Sequence, residues 1–233
     1  MVNLKKDVHD TALAEIRKRF SLTPVQLKYP FPERPLRTLG LVKVDGNIYS
    51  SEKFARVVLL KVSLPVYVTV RSTFIRPRLE YDLPVFSSEV IIMGKKRMVI
   101  VDIHRTGEST GHDDTALFDR LEQIREQYPA LREHAIQEKS EIRNVYSRAV
   151  CQVKISEALD EQAFSLFREY LTVFMEIMEK AEPLSGEILE NARDAYKNYL
   201  KTIVDHDPGM QFYKILFGKT SGVERSMNMH FEQ

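Results

Sequence analysis

The segment DLPVFSSEVIIMGKKRMVIVDIHR, residues 82–105, constrains the fold more than any other part of the chain. Two apolar runs, 84–93 and 98–103, flank the short basic turn Gly94-Lys95-Lys96. Runs of that length, rich in valine and isoleucine and joined through a glycine, predict a β-hairpin. Both arms are too apolar for a sheet with one wet face, so helices are expected to cover it. Two carboxylates, Glu89 and Asp102, stand inside those arms. A carboxylate on a buried strand needs a partner, or it neutralises itself through a raised pKa. The hairpin is therefore where chemistry is to be sought.

The chain before it predicts one helix and then strands. Over residues 8–20, Val8, Leu13, Ile16 and Phe20 share a helical face. Pro24, Pro30, Pro32 and Pro35 then predict an extended connector without regular structure. Asp45-Gly46 is a hairpin turn signal between strands at 39–44 and 47–50. Strands follow at 55–64 and 66–75, and in the second Ser72 is in phase with Val68, Val70 and Phe74. Short connections between successive strands imply a largely antiparallel sheet.

Beyond the hairpin the polar loop TGESTGHDD precedes predicted helices over 116–128 and 131–145, broken at Pro129. Residues 148–155 read as a strand returning to the sheet. Cys151 in it is expected to be a packed small hydrophobe rather than a nucleophile. Helices are predicted over 157–181, 185–204 and 210–217, the last closed by Gly218. With no internal repeat and no second boundary, residues 1–233 read as a single α+β domain.

Composition narrows the function. A net charge of +1 gives no reason to expect nucleic acid or an anionic membrane as partner. One cysteine excludes an internal disulfide and suits a reducing compartment. No apolar run reaches the ~18–20 residues of a membrane span, and the charged N-terminus lacks the apolar core of a signal peptide. A cytoplasmic protein is expected.

Phosphate loops, nucleophile elbows and histidine pairs at helical spacing are absent from the sequence. His112, Asp113 and Asp114 form a possible metal cluster, but three polar loop residues read first as solvated. Phe167, Tyr170, Phe174, Met175 and Met178 read as helix core rather than a cofactor slot. Three acids remain. Asp207, before a proline, suits a helix cap. Asp102 suits a structural hydrogen bond. Glu89, flanked by Ser87 and Ser88, reads as a hydrogen-bonded buried carboxylate or a tuned proton donor.

The pattern resembles a known family. DLPVFSSEVIIMGKKRMVIVDIHR is similar to the central signature of ferredoxin-dependent bilin reductases, in which a Leu-Pro-x-Phe-Gly-x-Asp segment leads into an apolar hairpin ending in Asp-Phe-Gln or Asp-Leu-Ser. DHDPGMQFYKILFG is similar to the family's C-terminal Asp-Pro…Phe-Gly motif, and AEPLSGE fits the turn before it. The resemblance covers residues 48 to the end.

It implies an α/β/α sandwich with a central, mainly antiparallel sheet, and a linear tetrapyrrole between the sheet and the C-terminal helices. It implies no bound metal or flavin, electrons from reduced [2Fe-2S] ferredoxin, and protons from side chains. Matched by position, the family's sheet aspartate falls on Glu89 and its C-terminal loop aspartate on Asp207, the expected catalytic pair. The family's third polar site, seventeen residues before the first, is Ser72 here. Substrate contacts are expected from Ser72, Phe86, Ser88, Arg148, His206 and Lys214. Arg148, Lys154 and Lys214 are the candidates for the pigment's propionates. Lys95, Lys96 and Arg97 are the candidate ferredoxin patch. A glutamate at this site also resembles red chlorophyll catabolite reductases. Biliverdin is the expected substrate and a monomer the expected state. The rival readings are a reductase of a chlorophyll-derived open-chain tetrapyrrole, a bilin carrier, and a helix-rich interaction module.

Overall fold

The computed structural model describes residues 4, 7–65, 67–107, 114–136 and 141–232. Among them, seven strands form one sheet in chain order, each antiparallel to the next. They are β1 (Thr23–Pro24), β2 (Lys43–Ser50), β3 (Phe54–Leu64), β4 (Val68–Pro77), β5 (Val85–Met93), β6 (Lys96–His104) and β7 (Cys151–Ser156). The hairpin expected around Gly94 is β5–β6. Gly94 has φ +60° at the first of two turn positions, the sign a type II′ turn requires and glycine adopts freely.

Side-chain alternation buries both faces of this sheet. Val57 and Leu59 of β3 face a core shared with α1 (Asp7–Arg17), α2 (Thr115–Glu126), the short α3 (Pro129–Arg132) and α4 (Asp160–Lys180). Val58, Leu60 and Val62 point the other way, to α5 (Gly186–His206), α6 (Pro208–Phe217) and α7 (Lys219–His230). A strand buried on both sides reads as a continuous apolar run, which is what β3 shows. The expected α+β, three-layer arrangement follows. Phe167, Tyr170, Phe174, Met175 and Met178 are all core on α4.

Four features differ from the sequence reading, each for a physical reason. Asp45-Gly46 makes no turn; the pair lies within β2, opposite Lys61 and Leu60. Gly46 serves close packing there, since a Cβ would stand 3.0 Å from Leu60 Cδ1. Pro24 belongs to β1, at the sheet edge, where its missing N–H costs no ladder bond. The α-helix expected over 131–145 is not continuous among the described residues, since α3 ends at Arg132, Glu141–Asn144 is a 3-10 turn, and 137–140 lie outside them. After α3, Ala135 bridges to Val153 and the Ile136 amide donates to Gln152 O at 2.9 Å, so the outer edge of β7 claims this segment.

The last difference is α7, which the sequence reading did not foresee. Gly222 lets it approach α6 closely: a Cβ there would fall 2.4 Å from Tyr213 O. Its far end is held by the buried Arg76. Nε donates to His230 O at 3.2 Å, and Nη2 donates to Phe231 O at 3.2 Å and Glu232 O at 2.9 Å. A cation on the last carbonyls of a helix is favourable on charge as well as geometry. Among the described residues, no helix is long and apolar enough to cross a membrane.

Candidate active site

Register builds the floor of the site. Leu60, Ser72, Glu89 and Ile100 form one row across β3–β6, and Val58, Phe74, Ser87 and Asp102 form the next. Both rows face the layer of α5, α6 and α7. Between them lies a cavity with about 940 Å³ of empty space, counting its open mouth. Ser72, Glu89 and His104 line it from the sheet; Tyr199, Asp207, Tyr213 and His230 line it from the helices.

The two acids on its walls are both held towards their neutral forms. Burial raises Glu89 from the ordinary carboxylate range to about 7, and the Asp207 carboxyl adds to that rise. Burial also raises Asp207, against the pull of the Gly209 and Met210 amides and of His104. Asp207 is at the same time the N-cap of α6, where the Gly209 amide donates to Oδ1 at 2.7 Å. Its capping role and its place on the cavity wall coexist. Tyr213 is pushed well above its ordinary value by burial, with Glu89 and Asp207 adding to it.

Behind the wall, Asp102 is fully buried and makes the structural hydrogen bonds expected of it. Ser147 donates to it twice, N to Oδ2 at 2.9 Å and Oγ to Oδ1 at 2.5 Å. Asp102 Oδ2 also stands 3.6 Å from His104 Nδ1. His104 Nε2 and the Tyr199 hydroxyl are 3.2 Å apart. The sequence reading missed His104, Tyr199, Tyr213 and His230. For His104 a signal existed, because Ile100, Asp102 and His104 alternate along one face of a strand. For the others, the folding of α5–α7 onto the sheet brings them in, and no local pattern encodes that.

The family model for ferredoxin-dependent bilin reductase matches residues 9–226. The chain belongs to that family. The reductase is accordingly an enzyme, an oxidoreductase of bilins coupled to ferredoxin. It is 23% identical over 233 residues to phycoerythrobilin:ferredoxin oxidoreductase of Nostoc punctiforme, covering 93% of this chain and 88% of that one. The Gloeobacter violaceus enzyme of the same name is 22% identical over 207 residues, covering 87% and 84%. The 15,16-dihydrobiliverdin:ferredoxin oxidoreductase of Nostoc punctiforme is 19% identical over 173 residues, covering 73% and 70%. Among solved structures, tomato phytochromobilin synthase in complex with biliverdin superposes with a TM-score of 0.79 at 18% identity, covering 98% of this chain and 82% of that one.

The remaining residues singled out from sequence scatter over the reductase. Ser88 borders the cavity, but alternation sends its side chain to the opposite core, level with Thr73 and Val101. Phe86 points to that same core, against Phe167 and Phe174 with ring centroids 5.7 Å away in each case. Arg148 is 45% exposed and paired with Asp119 and Glu122 of α2, away from the cavity. Lys214 Nζ donates to Val204 O at 2.9 Å, and His206 is exposed at the end of α5; neither lines the cavity. Lys154 is exposed on β7. At the hairpin turn Arg97 is buried in an ion pair with Asp160, 3.1 Å, and Lys95 stands 3.9 Å from Glu157. Cys151 is buried, its thiol pushed up to about 12, as suits a packed hydrophobe. His112 and Asp113 lie outside the described residues, while Asp114 pairs with Arg105.

Proposed function

We propose that the reductase converts biliverdin to a phycobilin, with the pigment lying between the sheet and α5–α7. Reduced [2Fe-2S] ferredoxin supplies electrons one at a time, and Glu89 and Asp207 supply protons from the two sides. Each double bond saturated takes up two electrons and two protons. The first electron gives a bilin radical anion, which is more basic than the pigment, and a neutral carboxylic acid beside it transfers its proton. Ser72 hydrogen-bonds a lactam group and donates no proton near neutrality. The 15,16 methine bridge is the first bond reduced.

One observation carries this reading: two acids far apart in sequence, each with a raised pKa, converge on one cavity between the sheet and α5–α7. Further support comes from the relatives, whose names pair phycoerythrobilin and 15,16-dihydrobiliverdin with ferredoxin, and from the biliverdin in the tomato enzyme's structure. The single buried cysteine is in keeping with a reducing compartment.

The test has two stages. Mixing with biliverdin produces a structured red absorption band if the pigment is bound and rigidified. Ferredoxin, its reductase and NADPH are then added without oxygen, and the product is separated by chromatography. Loss of the biliverdin band with a dihydrobilin or phycobilin product is expected. A bound pigment that is never reduced marks a carrier, and turnover only of a chlorophyll-derived open-chain tetrapyrrole marks the other branch. No band at all marks a protein without this ligand.

A further inference from the structure

We propose that His104 and Tyr199 act together as a third proton donor to the bilin, serving the end of the cavity away from Glu89. The proposal rests on the bilin reading above and assigns residues that reading does not use. Position comes first. Glu89 pairs with Ile100 on β6, and His104 lies four residues further along the same face, ~13 Å away at the ~3.3 Å rise of a strand. Glu89 cannot reach a pigment atom at that end, whereas His104 and Tyr199 both line the cavity there.

The surroundings of the ring fit a donor. Nδ1 is buried, has no hydrogen-bond partner, and faces the Asp102 carboxylate at 3.6 Å. A carboxylate behind an imidazole orients the ring. Nε2 meets the Tyr199 hydroxyl at 3.2 Å. The charged and titratable groups facing His104 are therefore Asp102 on its own strand, Tyr199 on α5, and Asp207 at the start of α6. The other histidine on the wall, His230, is held at about 4 by burial and stays neutral. Tyr199 is pushed well above its ordinary value, so it works as a hydroxyl that passes a proton on and never as a phenolate.

The step balances simply. An electron from ferredoxin gives the bilin radical anion. Tyr199 passes its hydroxyl proton to the pigment as His104, which enters the step as the imidazolium, replaces it with the proton on Nε2, leaving a neutral imidazole. Resupply has a route, because Tyr199 also lines an adjoining open cleft together with Ser147 and Asn198.

The experiment reduces biliverdin-loaded protein with one equivalent of reduced ferredoxin and follows the bilin radical by electron paramagnetic resonance and absorbance. His104→Gln and Tyr199→Phe should bind biliverdin within threefold of wild type, and form the radical. They should then prolong its life by ~10²-fold, as loss of a positioned acid does. The double variant should be no slower than either single one, since the two residues act as a unit. Radical decay within threefold of wild type in both variants would overturn the proposal. So would effects that multiply in the double variant, or a loss of pigment affinity that marks the pair as cavity wall only. Normal decay in these variants beside a stalled radical in Glu89→Gln sinks this inference alone; no radical in wild type sinks both readings.

Discussion

Ser72 and Glu89 stand directly opposite one another on neighbouring strands β4 and β5. Directly opposed residues on one face have Cβ atoms ~4.5–5.5 Å apart, so the serine hydroxyl meets the same patch of ligand as the carboxyl without competing for its proton. Ser72→Ala should bind biliverdin and turn over within about tenfold of wild type. Glu89→Gln should bind it equally well and lose ~10²–10⁴-fold in rate. Steady-state ferredoxin-driven assays of the two variants side by side decide this; equal rates in both would leave Glu89 without a chemical role.

Glu89 also makes stability depend on pH. Its carboxyl titrates at about 7 in the fold and at ~4.3 in an unfolded chain. The native state holds the proton more tightly, so stability falls as pH rises from the unfolded value to about 7 and then levels off. Glutamine does not titrate. Glu89→Gln should therefore be more stable than wild type at pH 8, by up to roughly 4 kcal/mol, with the gap closing at acid pH. Urea unfolding on both sides of this window measures it.

At Asp207 the cap and the proton can be separated. Asparagine caps as well as aspartate, whereas alanine costs ~1 kcal/mol. Asp207→Asn should melt like wild type yet stall as a bilin radical or partly reduced product. Asp207→Ala should show the same stall plus a lower melting temperature. Full turnover in Asp207→Asn would reduce the residue to its cap.

Phe86 belongs to the fold rather than to the pigment. It is fully buried between β5 and α4, and truncating a phenylalanine in such a place costs ~3–5 kcal/mol. Phe86→Ala should unfold at markedly lower urea. Phe86→Leu, which keeps most of the volume, should retain wild-type biliverdin affinity by absorbance titration.

Lys95 and Lys96 remain exposed at the turn, although Arg97 beside them is committed to Asp160. If this turn meets ferredoxin, reversing both lysines to glutamate should slow ferredoxin-driven turnover at low salt and flatten its ionic-strength dependence. Rates indifferent to the reversal would move the docking face elsewhere.

How far the sequence foretold this molecule depended on how local each determinant was. The β5–β6 hairpin was legible because valine-rich arms and Gly94 speak through immediate neighbours. Asp45-Gly46 carries an equally local turn signal, but β2 pairs along β3 and overrides it. The polar, glycine-containing α7 has little propensity of its own, and it is secured by Arg76 and by contact with α6. Glu89 and Asp207 stood out as acids in apolar or proline-bound settings, yet only the docking of α5–α7 on the sheet makes them neighbours. Arg148 looked free to hold a propionate because nothing in its sequence announces Asp119 and Glu122.

Asp207 ends α5 and begins α6, with its Oδ1 on the Gly209 amide. In the proposed cycle this carboxyl changes from neutral to anionic on giving up its proton, at the end of α6 where the helix dipole favours negative charge. The spent donor is thus the better cap, and its bond to Gly209 becomes charge-assisted and stronger. Backbone fraying at this junction should therefore be greater with the acid form than with the spent one, and hydrogen exchange at the Gly209 amide should slow when Asp207 is held anionic.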